Sequence, residues 1–157
     1  MYIISYAYYK MGNLQKAKQF ANIAGSVDTK VVVELVFSSN CVLFGDIYSA
    51  MGKADSALMA YRLVSNNNKQ HMAMAKIGIS KLFQQQGHID SALIYARNAF
   101  MYFMQNQAEV PSFGESSLFY QADISPLLAE LYEKKHLSDS AYKYLKLSIV
   151  LKDSLYN

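Results

Sequence analysis

The side chains of this 157-residue chain that could do chemistry are three histidines, one cysteine and a scatter of carboxylates. His71, His88 and His136 stand far apart, and none has a second ligand-type residue four positions on, the spacing that puts two metal ligands on one helix face. Cys41 is the single cysteine, which excludes an internal disulfide and a multi-cysteine zinc site. As a nucleophile it would need a base to take its proton, and no histidine lies near it in sequence. Gly45 and Gly52 stand seven residues apart and do not make a phosphate-cradling loop. Lys plus Arg number 15 against 12 Asp plus Glu, a net charge of +3, and Arg62 and Arg97 are the only guanidinium groups. That surplus is too small for a phosphate-binding stripe, so nucleic acid is not an expected partner. Neither enzymatic activity nor any metal or cofactor is expected.

The elements that must carry these residues are helices. Hydrophobic residues make up 52% of the chain, while two prolines and seven glycines are too few for a loop-rich or all-β protein. No apolar run approaches the ~18 residues needed to cross a bilayer. The strongest candidate, Val31 to Phe37, is short and contains Glu34, so no direct membrane insertion is expected. Met1 to Met11 lacks the basic start and small-residue cleavage site of a signal peptide. It reads as helix instead, with Ile4, Tyr8 and Met11 at spacings of four and three. The eight methionines and thirteen tyrosines, at such spacings, read as packing.

An internal repeat organises the chain. Aligned on Ala17, Ala57, Ala92 and Ala141, the segments carry Gly12, Gly52, Gly87 and His136 five residues earlier. Four residues before those stands an aromatic each time, Tyr8, Tyr48, Phe83 and Tyr132. Seven before the same stops come the small residues Ser5, Gly45, Ser80 and Ala129, each preceded by an apolar group, Ile4, Phe44, Ile79 or Leu128. The small residue and the aromatic fall on one face of a first helix, and a glycine stops that helix by entering the left-handed region. Asp55, Asp90 and Asp139 then start a second helix, where a carboxylate meets exposed N–H groups and the positive dipole end. The alanine lets the two helices approach closely, and Ala21, Tyr61, Ala96 and Leu145, four positions on, are expected to continue the same buried seam.

This pattern resembles the tetratricopeptide repeat, W-x2-L-G-x2-Y followed by A-x3-F. The second copy is closest, as Cys41-x2-Phe44-Gly45-x2-Tyr48 and Ala57-x3-Tyr61. The chain departs from the family in never having Trp at the first position and in lacking the closing proline. Its spacing is also uneven, where the usual period is about 34 residues. The resemblance implies an all-α fold: an α-solenoid of antiparallel helix pairs, with eight helices in a right-handed superhelix. The helices are expected at about 2–11, 14–24, 29–51, 54–66, 69–86, 89–105, 116–135 and 138–155, in four units of one domain, 1–26, 27–67, 68–106 and 115–157. Gly25 and Asn66 to Asn68 read as turns, and Gln107 to Ser116 as a loop; Pro126 should kink the seventh helix or begin a new segment. Cys41, in the tryptophan position, should face the core.

Function follows from the same resemblance. In the family the first helices line a concave groove. Its positions fall on Tyr2, Tyr6, Tyr9, Val42, Asp46 and Ser49 in the first two units, and on Ile77, Lys81, Gln84, Glu130 and Glu133 in the last two. The paired Lys, Asn and Arg with which some members grip acidic tails are absent from those positions, so a neutral or mixed peptide suits the groove better. The first helix is short and the last has no polar cap, which reads as a piece of a longer protein or as ends packed on a partner. Lys143 to Lys146 and Lys152 to Leu155 resemble the junction in bacterial sensor histidine kinases with tetratricopeptide input domains. That likeness implies a sensory region outside the membrane, with catalysis elsewhere; otherwise a cytoplasmic location is expected. The expected function is a non-catalytic protein- or peptide-binding scaffold. The alternative is a structural or self-associating module, with a homodimer as its partner state.

Overall fold

The computed structural model describes residues 2–25, 33–106 and 116–156. Among them are eight α-helices and no strand: α1 (Tyr2–Lys10), α2 (Leu14–Gly25), α3 (Val33–Ala50), α4 (Ala54–Arg62), α5 (Lys69–Gln85), α6 (Ile89–Gln105), α7 (Ser117–Lys134) and α8 (Ser138–Tyr156). The chain divides into two compact units, residues 1–78 and 79–157, with the division inside α5. Within each unit neighbouring helices pack pairwise in a solenoid-like succession.

One turn closes all four first helices. Gly12, Gly52, Gly87 and His136 have φ of 74°, 72°, 80° and 57°. Each donates its N–H to the carbonyl three residues back. The next residue donates to the carbonyl of the repeat aromatic, Tyr8, Tyr48, Phe83 or Tyr132, at 2.8 to 3.0 Å. This is the Schellman closure, which satisfies the last carbonyls of the helix. The second helix then begins at once, as Ala17, Ala57, Ala92 and Ala141 each donate an N–H to the carbonyl of the residue after the stop. Asp55, Asp90 and Asp139 lie in the first turn, but Lys53 and His88 occupy the cap positions of α4 and α6, without side-chain cap bonds. The carboxylates therefore act through the helix dipole and not as caps.

In the first unit, Ala17 and Ala21 of α2 are buried with Leu43 and Ile47 of α3, and Tyr6, Tyr8, Tyr9, Phe44 and Met51 pack around them. Ser5 donates its hydroxyl to the Ala17 carbonyl at 2.6 Å, and Ser80 repeats the bond to Ala92 at 2.7 Å in the second unit. The small first-helix position is thus a tether as well as a clearance. The aromatic has a recurrent partner too. Tyr8 stacks on Phe20, Phe83 packs on Tyr95 and Tyr132 stacks on Tyr144, all at 5.4 to 5.5 Å between centroids. Such pairs contribute about 0.5–1.5 kcal/mol beyond their burial. At the corresponding place after Tyr48 stands Ala60, and Tyr48 stacks on Phe44 instead.

Several expectations are corrected. α4 is shorter than 54–66, the expected start of the third helix at 29 lies outside the described residues, and Gly25 is the last residue of α2 and not a separate turn. α7 runs through Pro126 as one helix, so no new segment starts after Ser125. The Ser125 hydroxyl donates to the Gln121 carbonyl at 2.7 Å, one residue before the Ala122 carbonyl that the proline leaves without its helical N–H. The loop at 107–115 and the Val31–Val32 stretch lie outside the described residues; Ser116 caps α7, accepting the Phe119 N–H. Leu145 does not continue the buried seam: it is 52% exposed, and Ala141 is only half-buried, because that side of α8 is open.

Candidate functional site

Among the described residues this framework builds several clusters of polar side chains, three of which bear on function. The first joins α3 to α5. Asn68, just before α5, accepts from the His71 N–H at 3.2 Å and caps that helix. The same Oδ1 lies 2.7 Å from His71 Nδ1, and His71 Nε2 lies 2.7 Å from the Ser39 hydroxyl. A carboxamide oxygen accepts only, so Nδ1 carries the proton and Nε2 accepts from Ser39. Burial disfavours the imidazolium and lowers the His71 pKa to about 4, which keeps that neutral tautomer in place. The chain of orienting amide, neutral imidazole and hydroxyl has the order of a hydrolase relay. Ser39 and His71 are each 1% exposed, however, so the hydroxyl faces packed side chains and not a substrate. Here the relay satisfies polar groups between two helices.

The second cluster centres on Tyr61 of α4. Its ring lies where a β-carbon at Gly45 or Gly78 would stand, at 2.3 and 2.1 Å. Both glycines are therefore required by a close approach, and the ring is clasped between α3 and α5. The phenol donates to Asp46 Oδ1 at 2.6 Å. Burial first, then the Asp46 carboxylate, holds that phenol protonated far above the ordinary tyrosine range.

The third cluster lies on the exposed faces of the first helices of the second unit. Lys81 of α5 donates to Asp123 of α7 at 3.1 Å, with both side chains nearly half exposed. Gln84, one turn on, donates to Glu130 at 2.9 Å. Glu133 is exposed beside this row. Exposed pairs of this kind contribute only ~0–1 kcal/mol, so they do not hold the unit together. They array donors and acceptors along one surface.

Of the groove positions read from the sequence, the structure brings Lys81, Gln84 and Glu130 onto one exposed surface of the second unit. In the first unit Tyr6 and Tyr9 are half-buried, with ring centroids 6.4 Å apart, and Asp46 and Ser49 are half-buried on α3. Val42 and Ile77 are corrected: both side chains are buried, so neither lines an open groove. Their faces of α3 and α5 turn inward at those registers. The side chain of Tyr2 lies outside the described residues. Asp123 was missed, although its spacing of seven from Glu130 puts both on one face of α7. The Ser39–His71–Asn68 chain was missed as well; its only sequence signal is Asn68 three residues before His71, a capping spacing. Cys41 is buried, and burial pushes its thiol up to about 11, so it remains protonated. No family model matches the chain, and no curated protein matches it.

Proposed function

We propose that this chain is a non-catalytic peptide-binding scaffold of tetratricopeptide-like hairpins, with the first-helix faces as its working surface. The observation that carries the reading is the row Lys81–Asp123 and Gln84–Glu130, an exposed array of side-chain donors and acceptors joining two first helices. With Glu133 added, the row sets one cation against three carboxylates. It suits a polar segment of mixed charge that brings at least one Lys or Arg to Glu130 or Glu133. The half-buried Tyr6 and Tyr9 give the corresponding helix of the first unit aromatic surface, which favours peptide contacts. The likeness of the closing residues to the sensor-kinase junction supports placing the scaffold on the input side of a larger signalling protein.

Selection from a displayed random-peptide library, followed by calorimetric titration of the enriched sequences, tests this. Enriched peptides should carry a basic residue and bind in the micromolar range. Glu130→Ala should weaken them about 5- to 10-fold, the cost of one charge-assisted hydrogen bond. Failure to enrich any sequence, or peptides indifferent to Glu130→Ala and Lys81→Ala alike, contradicts the reading. A second reading, self-association, is favoured by one separate observation, the open apolar side of α8.

A further inference from the structure

The second helices α2 and α6 bury their alanine seams: Ala17, Ala21, Ala92 and Ala96 are all inaccessible. The equivalent side of α8 is open, and what it shows is not a scatter of apolar residues. Tyr142, Leu145, Ile149 and Tyr156 are 66%, 52%, 56% and 80% exposed. Their intervals of three, four and seven residues place them on one narrow stripe, the a and d positions of a heptad, with Lys152 at the remaining position. A stripe that narrow matches the seam of a two-helix coiled coil better than the broad face of a core helix.

We propose that this stripe pairs with its own copy, two α8 helices lying antiparallel across a two-fold axis. The flanking charges select that arrangement. Lys146 and Asp153 stand seven residues apart and exposed along the same edge of the stripe. In the antiparallel register that sets Leu145 of one copy against Tyr156 of the other, Lys146 of each copy lies beside Asp153 of its mate. The axis makes that ion pair twice. The alternative register, Leu145 against Ile149, brings Lys146 to Lys146, and a parallel pair stacks Lys152 on Lys152. Lys152 in the antiparallel seam runs its stem along Ile149 and its ammonium to solvent. In this register Leu145, Ile149 and Tyr156 overlap with their mates and offer on the order of 350 Å² per copy, less than half the ~800 Å² per partner of a standard interface. The pair is therefore a weak one, filled only at high protein concentration. The surface is separate from the first-helix row, so the proposal stands or falls independently of peptide binding.

Sedimentation equilibrium of the 157-residue chain tests it. The mass should rise with concentration from 17.7 kDa to twice that value. Leu145→Lys combined with Ile149→Lys should hold it at the monomer throughout, with helical circular dichroism unchanged. Lys146→Glu and Asp153→Lys should each weaken the dimer tenfold or more, and the two together should restore it. A wild-type chain still monomeric at several hundred micromolar overturns the proposal. A dimer untouched by the Leu145 and Ile149 changes also overturns it, and failure of the double charge reversal to restore pairing overturns the antiparallel register.

Discussion

At the residue scale, a few side chains in unusual states report on the packing around them. His71 is neutral in the folded protein because burial lowers its pKa to about 4, whereas an unfolded histidine titrates near 6.5. A depressed histidine gives stability that is complete above the unfolded value and is lost as pH falls from about 6.5 toward 4. Over that window the unfolded chain binds the extra proton. The loss should approach ~3 kcal/mol, read as a lower denaturation midpoint at pH 4.5 than at pH 7. The His71 ring proton shifts should stay flat above pH 5; a ring titrating near 6.5 contradicts the buried relay. His136 occupies a left-handed stop that glycine fills in the other three hairpins, so His136→Gly should raise stability by about 1 kcal/mol in chemical denaturation. Ser38 Oγ and Asn40 Oδ1 are buried without a hydrogen-bond partner among the described residues. Ser38→Ala therefore removes an uncompensated desolvation and should leave the midpoint unchanged or raise it, unlike Ser39→Ala, which strands the His71 nitrogen.

At the scale of the elements, the hairpin is the unit of design and its parts were unequally visible. The alanine, the stop and the aromatic repeat as residue types, so the closing turn and the buried Ala17, Ala57 and Ala92 could be read directly. The aromatic partner twelve positions after Tyr8, Phe83 and Tyr132 was also present as a spacing, yet its interruption by Ala60 hides it from a comparison of all four copies. The clasp of Tyr61 was hidden for another reason. Gly78 touches it from another helix, and no periodicity within α5 marks that glycine. Two substitutions separate these contacts. Ala92→Leu should overpack the α6 seam and cost about 1–3 kcal/mol. Gly45→Ala should cost a similar amount, because its methyl enters the Tyr61 ring and the neighbours must move. Urea denaturation checks both, and a neutral Gly45→Ala would show that the ring has room to yield.

For the molecule as a whole, the pattern of helices was legible because hydrophobic spacing and glycine stops are local properties of the chain. The surface was less so. Groove positions taken from a resemblance follow the average geometry of a family, and at Val42 and Ile77 the local register turns the side chain inward. Lys81, Gln84 and Glu130 sit one or two turns along helices that lie side by side, while the contact of Lys81 with Asp123 needed the coordinates to be noticed. Charge at these exposed positions does little for stability, which leaves it available for recognition. The account therefore rests on where a peptide touches the chain. The most direct measurement is an amide nitrogen–proton correlation spectrum of the labelled chain titrated with the tightest library-selected peptide. Shift changes should concentrate on residues 79–86 and 120–134, the first-helix faces of the second unit. Changes confined to the second helices α6 and α8, with those amides unmoved, would contradict it.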